Sequence, residues 1–202
     1  MTRKQDRKEE TRRRILAAAS RGFRSRGFAG IGVDGIAAAA GVTSGAFYAH
    51  FGSKDGAFGV ALETGLDEVT EAIRKFQKDA GSEWVQALAD YYLGKPHRDD
   101  LARGCAMTTL SPEVVRGDTK THAVYETKMA KIADLVADGL EGGSRDERRA
   151  RAWAMLGVLI GGLTIARAVK TRRAAEEIAS SIRLAAVNAA GAARPASDCD
   201  DR

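Results

Sequence analysis

Three histidines, two cysteines and 27 carboxylates are the side chains of this 202-residue chain that could hold a metal or move a proton. They do not converge on a site. His97, His122, Asp99, Asp100 and Glu126 show no His-x-x-x-His or comparable ligand spacing, and no glycine-rich phosphate loop follows a strand pattern. Cys105 and Cys199 lie far apart, and a cysteine set among apolar residues, as Cys105 is, reads as packing rather than as a redox sensor. The pattern argues against an enzyme, a metal site and an organic cofactor. The spacing that carries chemistry is Thr43-Ser44-Gly45-Ala46. Two hydroxyls at the start of a short helix, beside its orphan N–H groups, can meet a phosphate or a base edge. Gly45 permits close approach to a groove wall, and Ala46 is small enough to meet a thymine methyl. Ala46 and Ala49 offer no hydrogen bonds, so base readout rests on few side chains and much of the affinity comes from phosphates.

These residues need a platform, and the flanking sequence supplies one. Val33, Ile36, Ala37 and Ala40 recur at i, i+3, i+4, i+7, which gives a helix one apolar stripe. Gly41 ends it in the left-handed conformation, and Thr43 or Ser44 caps the next helix, SGAFYAHF, with Phe47 and Phe51 inward. Ser53 caps a third helix with Asp55 in its first turn. Helix, glycine turn, helix is the helix-turn-helix arrangement, whose second helix enters the DNA major groove. Upstream, Ile15, Leu16, Ala19 and Phe23 predict an amphipathic helix over 9–26, stopped by Gly27, with residues 1–8 mobile. Phe28, Ile31 and Val33 complete a three-helix core.

Charge is concentrated there. Residues 1–28 carry ten Lys/Arg against three Asp/Glu, whereas the whole chain nets only +5. A local basic patch attracts phosphate and makes affinity salt-dependent, although a solvated helix end has the same composition. With three prolines, much alanine and few aromatics, the chain is predicted to be all-α. No signal peptide is apparent, and the apolar run 152–166, roughly 15 residues, falls short of the ~20 that span a bilayer. A cytoplasmic protein without a disulfide framework, and with no membrane partner, is the expectation.

VTSGAFYAHFGSKDGAF, preceded by the basic amphipathic helix and VDGIAAAAG, resembles the DNA-binding domain of tetracycline-repressor (TetR) family regulators over roughly residues 10–60. The resemblance implies that Tyr48 and His50 face outward onto the phosphate backbone and that Lys54 joins them. Two departures stand out. Many members have Ser or Thr where Gly32 stands and an acidic residue where Gly35 stands; Gly35 inside a helix costs about 1 kcal/mol against Ala. A phosphate contact at position 32 therefore comes only from the backbone.

Further along, the helix begun by Ser53 extends to about Lys78, and shorter helical patterns cover 83–93 and 101–115, separated by a loop at 94–97. Longer helices are predicted over 119–140, 144–170 and 172–190. The resulting plan is an N-terminal three-helix helix-turn-helix domain (1–53), a C-terminal helical ligand-binding and dimerisation domain (54–190) and a flexible tail (191–202). Trp84, Tyr91, Tyr92, Met107, Thr108, Tyr125, Met129 and Trp153 are the candidates to line an effector pocket, and ordinary core packing accounts for them equally well. The stretch AWAMLGVLIGGLTIA is apolar nearly all round, so it is buried on more than one side. Gly157, Ile160 and Gly161, with Ile178 and Ile182 on the last helix, are the candidate dimer face, and Gly162 would widen it. The family resemblance implies a homodimer on a palindromic operator in double-stranded DNA, repression, and release by a small-molecule effector. A non-specific architectural DNA-binding protein is the alternative, with a helical enzyme behind it.

Overall fold

Alanine-rich, proline-poor sequence with apolar residues at helical spacing folds, among the described residues, into helices alone. The computed structural model describes residues 3–191. In chain order the α-helices are α1 (Arg3–Arg26), α2 (Val33–Ala40), α3 (Ser44–Phe51), α4 (Lys54–Ala80), α5 (Trp84–Tyr92), α6 (Lys95–Asp99), α7 (Ala106–Thr109), α8 (Ser111–Val115), α9 (Thr119–Asp138), α10 (Arg145–Ala168) and α11 (Arg172–Ala189). They cluster into two compact units that are not consecutive segments: residues up to Val69 with Asp100–Ala130, and Thr70–Asp99 with Lys131 onward. Helices α4 and α9 contribute turns to both.

In the first unit, Ile15, Ala19 and Phe23 of α1, Ile36 of α2, Phe47 of α3, and Ala57, Ala61, Leu62 and Leu66 of α4 are fully buried or nearly so. Phe23, Phe28 and Phe58 pack as a ring cluster with centroids 5.4–5.8 Å apart, two of the three pairs edge-to-face. Burying a side chain of this size contributes about 2–3 kcal/mol, which makes this cluster the anchor of α1 on α4. Gly65 lets α4 approach α7 closely: a Cβ there would come within 2.7 Å of the Ala106 Cβ. Lys128 on α9, only 15% exposed, bonds both oxygens of Asp67 at 2.7 Å and lies 3.2 Å from Glu63. Desolvation disfavours its charge, but these hydrogen bonds outweigh that and raise its pKa.

The second unit is built on α10 and α11, with α5 and α6 against them. Ser144 caps α10 in a reciprocal capping box with Glu147. Met155, Leu156, Leu159, Leu163 and Ala166 form the buried stripe of α10. Arg151 donates to the carbonyls of Glu141, Gly142 and Ala190, so one guanidinium closes the ends of two helical segments. Trp84 donates its indole N–H to Gly139 O at 3.1 Å, and Gln77 donates to Leu135 O at 2.9 Å.

Several sequence expectations are corrected. Helix α1 starts at Arg3, not Glu9. Its first turns hold strong helix formers without Gly or Pro, and once Ile15 to Phe23 is packed the helix extends outward at little cost. The expected loop at 94–97 is largely the short helix α6, because Pro96 sits in its first turn, where its missing N–H is an orphan in any case. His97 Nδ1 donates to Tyr92 O at 2.7 Å and Arg98 to Leu93 O at 2.8 Å, so α6 satisfies the carbonyls left by α5. Helix α9 ends at Asp138, two residues early. Helix α10 is by itself long and apolar enough by length and composition to cross a bilayer, although the charge-free run read from sequence is shorter; its buried stripe packs within the unit. The expected tail beyond Gly191 lies outside the described residues, as does Cys199. Cys105 is a half-buried thiol.

Candidate nucleic-acid interface

Helix α3 has only two turns, so on its own it would be marginal in water; the platform beneath it holds its shape. Phe47, fully buried, pins its inner side, and Phe51 packs tilted against it with centroids 5.7 Å apart. Gly41 takes φ 65° and ψ 41° at the end of α2, and Gly52 takes φ 70° at the end of α3. Both corners require conformations that side chains with a Cβ rarely adopt. Arg14 of α1 donates to Ala40 O at 2.5 Å and to Gly41 O at 3.1 Å, capping α2 from 26 residues away. That contact was not readable from the sequence, because no local signal links an α1 arginine to the orphan carbonyls of another helix.

The predicted reader residues lie on α3, at its cap and at the start of α4, with Tyr48 and His50, two apart, on opposite flanks of α3. Thr43 is the cap of α3: its hydroxyl oxygen accepts from Ala46 N at 3.2 Å, which leaves its proton available to an incoming acceptor. Ser44 differs, since its hydroxyl donates to Asp34 at 2.5 Å and ties α3 to α2. Of the two hydroxyls, Thr43 is therefore the one with a donor to offer. Gly45 is exposed, and a Cβ there would meet nothing closer than Thr43 Oγ1 at 3.8 Å, so the outer face is open at that point. Ala46 and His50 are half-buried, Ala49 is exposed and Tyr48 is 53% exposed. Ser53 caps α4 by accepting from Gly56 N at 2.9 Å. The Lys54 ammonium lies 4.3 Å from the centroid of the Phe28 ring, a cation–π contact that positions it beside the start of α4. Gly32 caps α2 with extended backbone and no side-chain bond, leaving the first N–H groups of α2 to other acceptors.

Along the flank of α3, Ala49 and His50 meet Gln5, Lys8, Glu9 and Arg12 of α1 around an open cleft of about 510 Å³. Arg12, one of its lining residues, holds its guanidinium 5.0 Å from the Phe51 ring centroid.

The other candidate residues divide between the two units. Met107, Thr108 and Met129 are buried in the first unit, where Tyr125 Oη and Ser111 Oγ share a hydrogen bond of 2.6 Å. Trp84 and Tyr92 are buried in the second; Tyr91 is 56% exposed and stacks on His97, and Trp153 is 40% exposed on α10. Gly157 and Gly161 face open space, with Ile160 and Ile178 half-buried nearby on their helices. Gly162, expected on that same face, points the other way: a Cβ there would come within 2.2 Å of Ile182, so Ile182 packs inside the protomer at this point. No group of three or more metal-ligating side chains occurs among the described residues.

Similarity to known proteins agrees with this geometry. Residues 15–61 match the model for bacterial regulatory proteins of the tetR family. The chain is 29% identical over 139 residues to the HTH-type transcriptional repressor DhaR of Mycobacterium sp. (strain GP1), covering 66% of this chain and 69% of that one. Among solved structures, a TetR-family transcriptional regulator from Cytophaga hutchinsonii aligns with a TM-score of 0.76 at 15% identity, over 90% of this chain and 96% of that one. A TetR-family transcriptional regulator from Streptomyces coelicolor aligns with a TM-score of 0.74 at 20% identity, over 91% and 95%.

Proposed function

We propose that the chain is a DNA-binding transcriptional regulator of the TetR family, a repressor that binds a palindromic operator as a homodimer and leaves it when a small molecule binds; the family match over residues 15–61 and the similarity to a named repressor support this reading. The observation that carries this reading is the open outer side of α3 at Gly45, held on a packed base by Phe47, with the Thr43 cap at its start, Tyr48 and His50 on its two flanks and Lys54 at the start of α4. Few hydrogen-bonding side chains reach where base edges would lie, so phosphate contacts supply most of the affinity and the α3 backbone sets the register. Gly45 and Ala46 bring that backbone close to the groove wall, where Ala46 can meet a thymine methyl.

The open face of α10 supports the second half of the proposal. Gly157 and Gly161 lie four apart, and a Cβ at either would meet no described residue within 4 Å, so the same helix of a second copy can approach closely there. A two-fold pair of protomers then presents two α3 helices to two half-sites. Relief of repression follows by linkage: a ligand that favours a conformation with misplaced reader helices depopulates the DNA-binding one. Helix α4, which contributes to both units, is the element through which that preference passes. Met107, Thr108, Tyr125 and Met129 in the first unit, and separately Trp84 and Tyr92 in the second, remain the candidates for effector contact, and on this reading the protein works in the cytoplasm.

Selection of bound duplexes from a random pool tests this. Wild-type protein is expected to enrich an inverted repeat, and Tyr48→Ala to lose most of that enrichment. Salt-sensitive binding to every duplex without enrichment would favour the architectural alternative.

A further inference from the structure

We propose that the cleft between the first half of α1 and the second half of α3 is a phosphate clasp, in which Lys8, Arg12 and His50 seat one backbone phosphate of the duplex beside the groove that α3 enters. The inference rests on α3 being the reader, and it adds α1 to the DNA footprint.

Three observations converge on it. The first is position: Ala49 and His50 form one wall, immediately after the exposed Tyr48, while Gln5, Lys8, Glu9 and Arg12 form the other. A helix lying in a major groove about 12 Å wide has its flanks against the sugar-phosphate walls, and this cleft is on that flank. The second is charge that is not already spent. Arg14 is committed to the carbonyls that end α2, Arg24 to Glu68 and Lys128 to Asp67. Lys8 and Arg12, four residues apart on one face of α1, form no ion pair with another described residue. The third is preorganisation. The Arg12 guanidinium rests on the Phe51 ring at 5.0 Å, so part of its conformational entropy is lost before DNA arrives. At about 510 Å³ the cleft is larger than a phosphodiester, and water completes the contact. Glu9 opposes the ligand. Its carboxylate lines the same cleft, which sets a sign that a purely structural role would not share.

The experiment measures binding against salt concentration, on the selected duplex and on an unrelated duplex of equal length, for wild type, the double variant Lys8→Gln/Arg12→Gln, Arg12→Lys and Glu9→Gln. The double variant is expected to flatten the log–log salt slope by about one unit per protomer on both duplexes, with the selected sequence unchanged. Arg12→Lys should keep the wild-type slope. Glu9→Gln should tighten binding to both duplexes by roughly threefold, since it removes a like charge. Slopes unchanged in the double variant would overturn the clasp, as would a change in the sequence selected, because a phosphate contact does not read bases. If wild type selects no sequence but the double variant still flattens the slope, the sequence-specific operator reading falls, while α3 and the clasp remain a DNA contact that does not distinguish sequences.

Discussion

The outer side of α3 and the outer side of α10 are both left uncovered by the described residues, and they differ in what they offer. On α3 the open residues are small or polar, Gly45, Tyr48 and Ala49, with hydroxyl, imidazole and ammonium groups at the edges. On α10 they are Trp153, Gly157 and Ile165, with the Thr164 hydroxyl turned back onto Ile160 O at 2.8 Å. A face that presents donors and little apolar area suits a polyanion that must be gripped and released. A face of aromatic, aliphatic and glycine surface favours another protein surface, because exposing it to water costs free energy in proportion to its area. Uncovered surface alone does not imply a partner; its chemistry says which class of partner it would suit.

The sharpest break of the comparison lies inside α10 itself. Gly162→Val drives a side chain into Ile182, where a Cβ already falls at 2.2 Å, and is expected to cost about 3 kcal/mol. Gly157→Ala has open space and should instead stabilise the isolated protomer by up to about 1 kcal/mol. Thermal unfolding of both variants at low protein concentration checks the pair, and equal effects would mean that the two sides of α10 are not distinct.

Charge on the outer side should separate assembly from folding. Gly157→Glu with Gly161→Glu is expected to give folded monomers in sedimentation, with helical content unchanged by circular dichroism. A wild-type sedimentation profile would move the dimer face elsewhere. On α3, Tyr48→Ala should weaken operator binding about tenfold, equivalent to about 1.4 kcal/mol, without changing the oligomer, as titration against the selected duplex reports. Lys54→Ala, which also removes the contact with Phe28, should flatten the salt slope by about one unit on all sequences alike. An unchanged slope would remove Lys54 from the interface.

The smallest effect is a pH dependence at the start of α10. The backbone N–H and the hydroxyl of Ser144 hold the Glu147 carboxyl below the usual 4.5. A depressed pKa contributes stability that is present above the ordinary value and lost as pH falls through the folded one. Unfolding midpoints of wild type should therefore drop on acidification below about pH 4.5, and Glu147→Gln should shrink that drop. An identical acid limb in the two proteins would show that the capping box carries no such linkage.

What the sequence determined by itself is local. Apolar spacing set the helices α2, α3, α10 and α11 to within a residue or two, and Gly41, Thr43, Ser53 and Ser144 marked their ends. Such signals act between residues at most four or five apart, so a linear reading contains all the information they need. Pro96 misled because a breaker in the middle of a helix is harmless in its first turn, and only the register decides which applies. The tertiary structure decided the rest: that Arg14 caps α2, that Arg12 lies on Phe51 beside the cleft, that Ser44 is spent on Asp34, and that Gly162 turns inward while Gly157 turns out. Each of these depends on which surfaces of distant segments meet. An apolar helix states that it must be covered but not by what, and a glycine records the absence of a side chain without saying what has come close enough to require it.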